Sequence, residues 1–256
     1  MEENELIEKI TKEVLSKLEK QGLVSKNTTP ASITPQELAG YIDHTLLKPE
    51  STQDQFEQVC NEALHYKFKS VCVNSSWVPF VANKLSGSSV KVCSVIGFPL
   101  GGMDTRSKAF EGENAIANGA HELDMVINIG ALKSGNLKMV EEDIRAVRRV
   151  CQSNTILKVI IETSLLTEEE KILACEISKK EGADFVKTST GFTGSGATVE
   201  DVALMRRVVG PKMGVKASGG IRDFKTAVAM IQAGATRIGA GGSVAIMKGI
   251  ASSGNY

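Results

Sequence analysis

The chain has 256 residues, with 30 basic and 30 acidic side chains and a hydrophobic share of 42%. That length allows one large domain with a substantial core. The zero formal charge argues against a nucleic-acid or membrane-surface partner, either of which would call for a basic excess. The five cysteines are odd in number and form no Cys-x-x-Cys pair, which argues against a disulfide framework or zinc knuckle. The start Met1-Glu2-Glu3-Asn4 is acidic with no apolar core behind it, and no apolar run is long enough to span a bilayer. The expectation is a soluble, reduced, cytoplasmic protein.

In chain order, residues 1–21 come first. Leu6, Ile7, Ile10, Val14, Leu15 and Leu18 fall on one helical stripe, and Glu5–Lys9, Glu8–Lys12 and Glu13–Lys17 pair at i,i+4. Residues 22–34 are rich in Ser, Thr, Asn and Pro and read as a linker. Thr34-Pro35-Gln36-Glu37 then opens a short helix. From there to residue 256, strands beginning at Tyr41, Ser70, Lys91, Glu122, Leu157, Asp184, Gly214 and Arg237 alternate with helical patterns such as Phe56, Val59, Cys60 and Ala63, or Val140, Ile144, Val147 and Val150. Thr167–Glu170 and Thr198–Asp201 fit capping boxes. Eight strand–helix units within 35–256 predict a (β/α)8 TIM barrel carrying an N-terminal amphipathic helical extension.

Alternation along barrel strands sorts side chains into inward and outward sets. If Leu123, Met125 and Ile127 face the helices, Asp124, Val126 and Asn128 face inward. By the same parity Lys187, Lys216, Cys72, Asn74, Ile160 and Glu162 face inward. Lys187 and Lys216 then enter one interior from neighbouring strands, which lie about 4.8 Å apart. Two ammonium groups roughly 5 Å apart repel by about 3 kcal/mol at an effective dielectric near 20, so one lysine is driven toward the neutral, nucleophilic amine. Asp124 supplies a carboxylate that can move protons. Parity alone does not rank the two lysines. Lys91 and Lys158 begin strands and are expected at the surface of the opposite face.

Glycine-rich turns follow strands seven and eight: Gly219-Gly220-Ile221-Arg222 and Gly239-Ala240-Gly241-Gly242-Ser243. Their backbone N–H groups suit an anion, at the usual phosphate position of such barrels. Gly191-Phe192-Thr193-Gly194-Ser195-Gly196, with Thr190 just ahead of it, reads as a third wall. His44, His65 and His121 fall on separate elements without metal-ligand spacing, His121 reads as structural, and no dinucleotide or Walker motif is present, so neither metal nor cofactor is expected.

On these residues the chain resembles the deoxyribose-phosphate aldolase family. The matching segments are Tyr41–Leu47, Val71–Asn74, Val95–Pro99, Glu122–Asn128, Phe185–Phe192 and Val215–Arg222, in order, and the resemblance covers roughly residues 35 to 256. It implies that Lys187 forms the Schiff base, Lys216 tunes it and Asp124 transfers protons, with Asp43, Thr45 and Cys72 lining the site. Family members often carry serines where Gly241 and Gly242 stand. A C-terminal tyrosine on the family's tail assists proton transfer, so Tyr256 is either that group or a frayed end. The implied reaction is reversible cleavage of 2-deoxy-D-ribose 5-phosphate to D-glyceraldehyde 3-phosphate and acetaldehyde. Rival readings are another class I sugar-phosphate aldolase and a non-catalytic sugar-phosphate-binding barrel. A homodimer is the expected assembly. The stripe of residues 1–20 could cap the barrel, pack in a homodimer interface or dock on another protein; the flexible linker favours docking, with self-packing as the alternative. The leader resembles encapsulation peptides, which makes a bacterial microcompartment shell one expected partner.

Overall fold

The computed structural model describes residues 33–250. The elements run α1 (Pro35–Ala39), β1 (Ile42–Leu46), α2 (Gln53–Tyr66), β2 (Ser70–Asn74), α3 (Val78–Lys84), β3 (Lys91–Ile96), α4 (Thr105–Ala117) and β4 (Glu122–Val126). They continue with α5 (Ile129–Lys133), α6 (Leu137–Val150), β5 (Ile156–Ile160), α7 (Glu168–Lys180), β6 (Phe185–Lys187), α8 (Val199–Val209), β7 (Gly214–Ser218), α9 (Phe224–Gln232), β8 (Arg237–Ala240) and α10 (Ser243–Met247). The eight strands pair in sequence order, all parallel, and β1 closes on β8. This is the expected (β/α)8 barrel. Five strand starts coincide with the sequence reading and the other three, at Ile42, Ile156 and Phe185, differ from it by one residue.

Covered by helices outside and by side chains inside, the strands are buried on both faces, β4 at every position. The helices turn the anticipated stripe inward: Phe56, Val59, Cys60 and Ala63 of α2 are all buried. Helix and strand pack tightly at α4, where a Cβ on Gly112 would stand 3.2 Å from Leu123 Cδ1. Leu123 therefore faces the helices, as its parity requires, and Asp124 faces the axis.

Helix starts follow local chemistry. Thr167 and Glu170 form the predicted reciprocal cap of α7. At α8 only half of the predicted box exists: Thr198 accepts from the Asp201 N–H, but the Asp201 carboxylate is drawn to Lys171 at 2.6 Å. An ion pair to the neighbouring helix has displaced the local hydrogen bond. The extension at residues 1–21 and most of the linker at 22–34 lie outside the described residues. No helix among the described residues is long and apolar enough to cross a membrane.

Candidate active site

The barrel interior is filled by charge. Asp124 from β4 is fully buried, and its Oδ2 accepts from Lys187 Nζ of β6 at 2.9 Å and from Lys216 Nζ of β7 at 2.7 Å. The register explains the meeting, because Lys187 and Lys216 are direct partners across the β6–β7 pairing. The sequence expectation that both lysines and Asp124 share one interior is met. The expected bare repulsion between the lysines is not what the geometry contains. A carboxylate oxygen sits between them, and Lys216 also touches Asp43 Oδ2 of β1 at 2.5 Å.

Lys158 requires a correction. It lies at 0% exposure in the interior, with Nζ 2.8 Å from Asp124 Oδ1 and 2.5 Å from Glu122 Oε2. Its β5 position has the same parity as Ile160 and Glu162, so alternation places it inward; nearness to the strand start does not move a side chain outward. Lys91 is exposed, as expected. Arg237 of β8 completes the layer beneath. It donates to Asp43 Oδ1 at 2.7 Å and to Glu122 Oε2 at 2.8 Å, with its guanidinium over the Phe185 ring.

The electrostatics follow from this packing. Burial would raise the carboxyls of Asp124 and Asp43, but the surrounding cations outweigh it. Lys158, Lys187 and Lys216 hold Asp124, and Lys216, Arg237 and Lys158 hold Asp43, well below the usual carboxylate range. Burial would likewise lower Lys216, yet Asp124 and Asp43 push it well above its ordinary value. Lys158 is raised in the same way by Asp124, Cys93 and Glu122 against its burial. Both lysines are therefore ammonium groups at neutral pH, and Asp43 and Asp124 are carboxylates.

Cys72 and Cys93 are partners across β2 and β3, and Cys93 Sγ donates to Asp124 Oδ1 at 3.2 Å. Burial pushes the Cys93 thiol well up, whereas contact with Cys93 lowers that of Cys72. These two sulfurs and an Asp124 oxygen lie within 4.8 Å of one another. Asp124 is already shared by three lysines, which makes this a poor place for a cation. Leu47, Val95 and Phe98 pack around the cysteines. Above them opens a recess of about 370 Å³ lined by residues that include Leu47, Asn74, Trp77, Phe98 and Phe192, at the carboxyl ends of β1, β2, β3 and β6. Phe98 and Phe192 meet edge to face at 5.3 Å. A larger recess of about 490 Å³ between α7 and α8 contains none of the inward strand residues and is no rival site.

The other expected site residues are distributed around the carboxyl ends of the strands. Thr45 is buried and donates to Asp43 O. Thr190 is held by its N–H to Glu162 Oε2 at 3.1 Å, while its Oγ1 accepts from Phe192 N. Glu162 is buried in a left-handed conformation (φ 56°) with its other oxygen unpartnered among the described residues. Gly191 (φ 84°), Gly219 (φ 84°) and Gly220 (φ 75°) all need the backbone freedom that glycine supplies. The loops after β6 and β7 lie back to back: Ala197 donates to Gly219 O, and a Cβ on Gly196 would come 2.4 Å from that oxygen. Gly241 and Gly242 are half-buried ahead of α10. Ser243 differs from expectation. Its hydroxyl is fully buried against Ala240 O at 2.9 Å and His44 Nδ1 at 3.0 Å, with His44 Nε2 on Glu62. That side chain is committed to the fold, so an anion beside it meets backbone. His121 is structural as expected, its Nδ1 accepting from Val92 N. Tyr256 lies outside the described residues.

Residues 38–252 match the model of the DeoC/LacD family aldolases. The chain belongs to that family. It is 66% identical over 216 residues to a deoxyribose-phosphate aldolase of Streptococcus gordonii, covering 84% of this chain and 98% of that one. It is 61% identical over 220 residues to a deoxyribose-phosphate aldolase of Halalkalibacterium halodurans, covering 86% of this chain and 98% of that one. Among solved structures it is similar to the tetrameric deoxyribose phosphate aldolase of Aeropyrum pernix, with TM-score 0.79 and 34% identity over 84% of this chain and 91% of that one. Family membership makes this chain an aldolase. The missed interior residues Lys158, Glu122 and Arg237 carried one usable signal, the strand parity that had already picked out Asp124.

Proposed function

We propose that this aldolase reversibly cleaves 2-deoxy-D-ribose 5-phosphate to D-glyceraldehyde 3-phosphate and acetaldehyde, with Lys187 as the Schiff-base lysine. The observation that carries the reading is the sharing of one buried Asp124 oxygen by Lys187 and Lys216. Lys216 is also held by Asp43, whereas Asp124 is the only carboxylate on Lys187 among the described residues. Lys216 is thus the fixed cation and Lys187 the group available to react. Its unprotonated Nζ adds to the C1 carbonyl of the open-chain sugar, and loss of water leaves an iminium. The C3 hydroxyl loses its proton and the C2–C3 electron pair flows into the iminium, which yields an enamine and the first aldehyde. Protonation at C2 and hydrolysis release acetaldehyde and restore the amine. Asp124, within reach of the lysine nitrogens, is the group that moves protons through these steps.

The phosphate is assigned to the backbone of Gly219-Gly220 and Gly241-Gly242, with Thr190 and Gly191 on the flank and Asp43, Thr45 and Cys72 below the sugar. The Ser243 contribution is limited to its N–H, since its hydroxyl is engaged elsewhere. Tyr256 is assigned to assist the C2 proton transfer. We further assign the enzyme to the cytoplasm as a homodimer, and the apolar stripe of residues 1–20 to docking on a protein partner such as a microcompartment shell. The family match begins at residue 38, after that stripe. Deleting residues 1–30 should leave activity intact, and a fluorescent protein fused to residues 1–22 should follow assembled shells; a diffuse fusion removes the docking assignment.

The activity is tested by a panel of sugar phosphates and aldehydes. The expected result is preferred cleavage of 2-deoxyribose 5-phosphate with acetaldehyde as product, lost in Lys187→Ala. Preference for another sugar phosphate makes the chain a different class I aldolase.

A further inference from the structure

Six buried side chains close a circuit of alternating charge beneath Lys187. Asp43 contacts Arg237 at 2.7 Å, Arg237 contacts Glu122 at 2.8 Å and Glu122 contacts Lys158 at 2.5 Å. Lys158 contacts Asp124 at 2.8 Å, Asp124 contacts Lys216 at 2.7 Å, and Lys216 returns to Asp43 at 2.5 Å. Three carboxylates thus alternate with three cations, contributed by β1, β8, β4, β5 and β7. All six lie at 3% exposure or less. The ring is neutral as it stands. Lys187 hangs from it through Asp124 Oδ2 and is a fourth base against the same three carboxylates. Each ring partner has its charge matched on both sides, so a proton on Lys187 is the one positive charge that the ring leaves unmatched. In a medium that solvates charge poorly, a charge added to or removed from the ring is felt at Lys187 Nζ through its contact with Asp124.

We propose that Glu122 and Arg237, which lie a layer below the reacting atoms, are charge-balancing positioning residues that set the pH range in which Lys187 is able to attack. The inference rests on the assignment of Lys187 as the nucleophile. The other groups facing this space are the Cys93 thiol, which donates to Asp124 Oδ1 and touches Lys158 Nζ at 3.4 Å, the Cys72 thiol beside it on β2, and the Glu162 carboxylate at the end of β5, turned to Thr190. Ser70 of β2 donates to Asp43 Oδ1 and adds no charge. Removing one ring charge at a distance of about 10 Å, at an effective dielectric near 20, moves a protonation equilibrium by about one pH unit.

The test is the acid limb of the pH profile of kcat/KM, read in parallel from borohydride trapping of acetaldehyde on Lys187. Glu122→Gln leaves the ring with a net positive charge, and its limb moves to lower pH by about one unit. Arg237→Gln leaves a net negative charge, and its limb moves to higher pH by about one unit. The double variant Glu122→Gln/Arg237→Gln restores neutrality, and its limb returns to the parent position despite the loss of both side chains. Where a single variant does not fold, the double variant and the charge-conserving Arg237→Lys decide, because both keep the balance and are expected at the parent limb even if less stable. Limbs that stay fixed in folded single variants, that move in the same direction in both, or that are displaced in the balanced variants overturn the proposal. Failure of trapping at Lys187 in the parent enzyme overturns instead the reading of the nucleophile.

Discussion

Lys108 and Asp143 form a buried ion pair that the reaction does not use, and breaking it is expected to be costly. Lys108 of α4 lies at 0% exposure, its Nζ 2.5 Å from Asp143 Oδ2 of α6 and 2.9 Å from Val126 O at the end of β4. Burial pushes the Lys108 amine down and the Asp143 carboxyl up, in each case against the attraction of the other. Both shifts mean that desolvation exceeds what the partner returns. The signs follow: the Asp143 contribution to stability is lost as pH rises through its raised folded value, and that of Lys108 is lost as pH falls through its lowered one. At neutral pH the pair is thus a net cost relative to a good apolar contact. Removing one partner, as in Asp143→Leu, strands an ammonium in the core and is expected to cost about 3–5 kcal/mol. For a domain of this size that is a fall in Tm of about 6–20 °C. The double variant Lys108→Met/Asp143→Leu is expected to lie near the parent or above it by about 1–4 kcal/mol. Urea midpoints of the parent, both single variants and the double measure this as a cycle. A single variant within about 1 kcal/mol of the parent, or a double as unstable as the singles, refutes the reasoning.

The ionic ring makes a prediction of opposite sign. Asp43 is held below its ordinary value, so its stabilisation is complete above the unfolded carboxyl value of about 3.9 and is lost as pH falls through the lower folded one. The stability gap between parent and Asp43→Asn is therefore constant from pH 7 down to about 4 and narrows below that; a gap that widens on acidification contradicts it. Gly196→Ala places a Cβ against Gly219 O at a left-handed position and weakens the Ala197–Gly219 hydrogen bond. The combined cost is about 2–3 kcal/mol. KM for 2-deoxyribose 5-phosphate should rise at least several-fold while unphosphorylated 2-deoxyribose is affected little, and equal effects on both would remove the phosphate from the β7 turn.

The barrel was legible because its strands alternate with helical stripes along the chain, and because strand parity is a strong constraint once one face is known. That constraint put Asp124, Lys187 and Lys216 in one interior before any contact was seen. It also applies to Lys158, whose place near a strand start points to the surface while its parity points inward. A charged side chain in a barrel is placed by partners on distant strands, and those partners are not written in its own neighbourhood. The same limit governs Asp201, whose carboxylate leaves its local cap for Lys171, and Ser243, whose hydroxyl is claimed by His44 from a strand 199 residues earlier. The tuning of the lysine pair was only half legible. Their proximity followed from adjacent strands, but the carboxylate between them and the ring beneath depend on closure of β8 onto β1.

The proposed reaction stands or falls on Lys187 as the nucleophile. Its most direct test is borohydride reduction of the enzyme with acetaldehyde, followed by peptide mass spectrometry. The expected result is one reduced adduct, on Lys187, that is absent from Lys187→Ala. An adduct on Lys216 or Lys158, or no lysine adduct in enzyme that still cleaves its substrate, would contradict it.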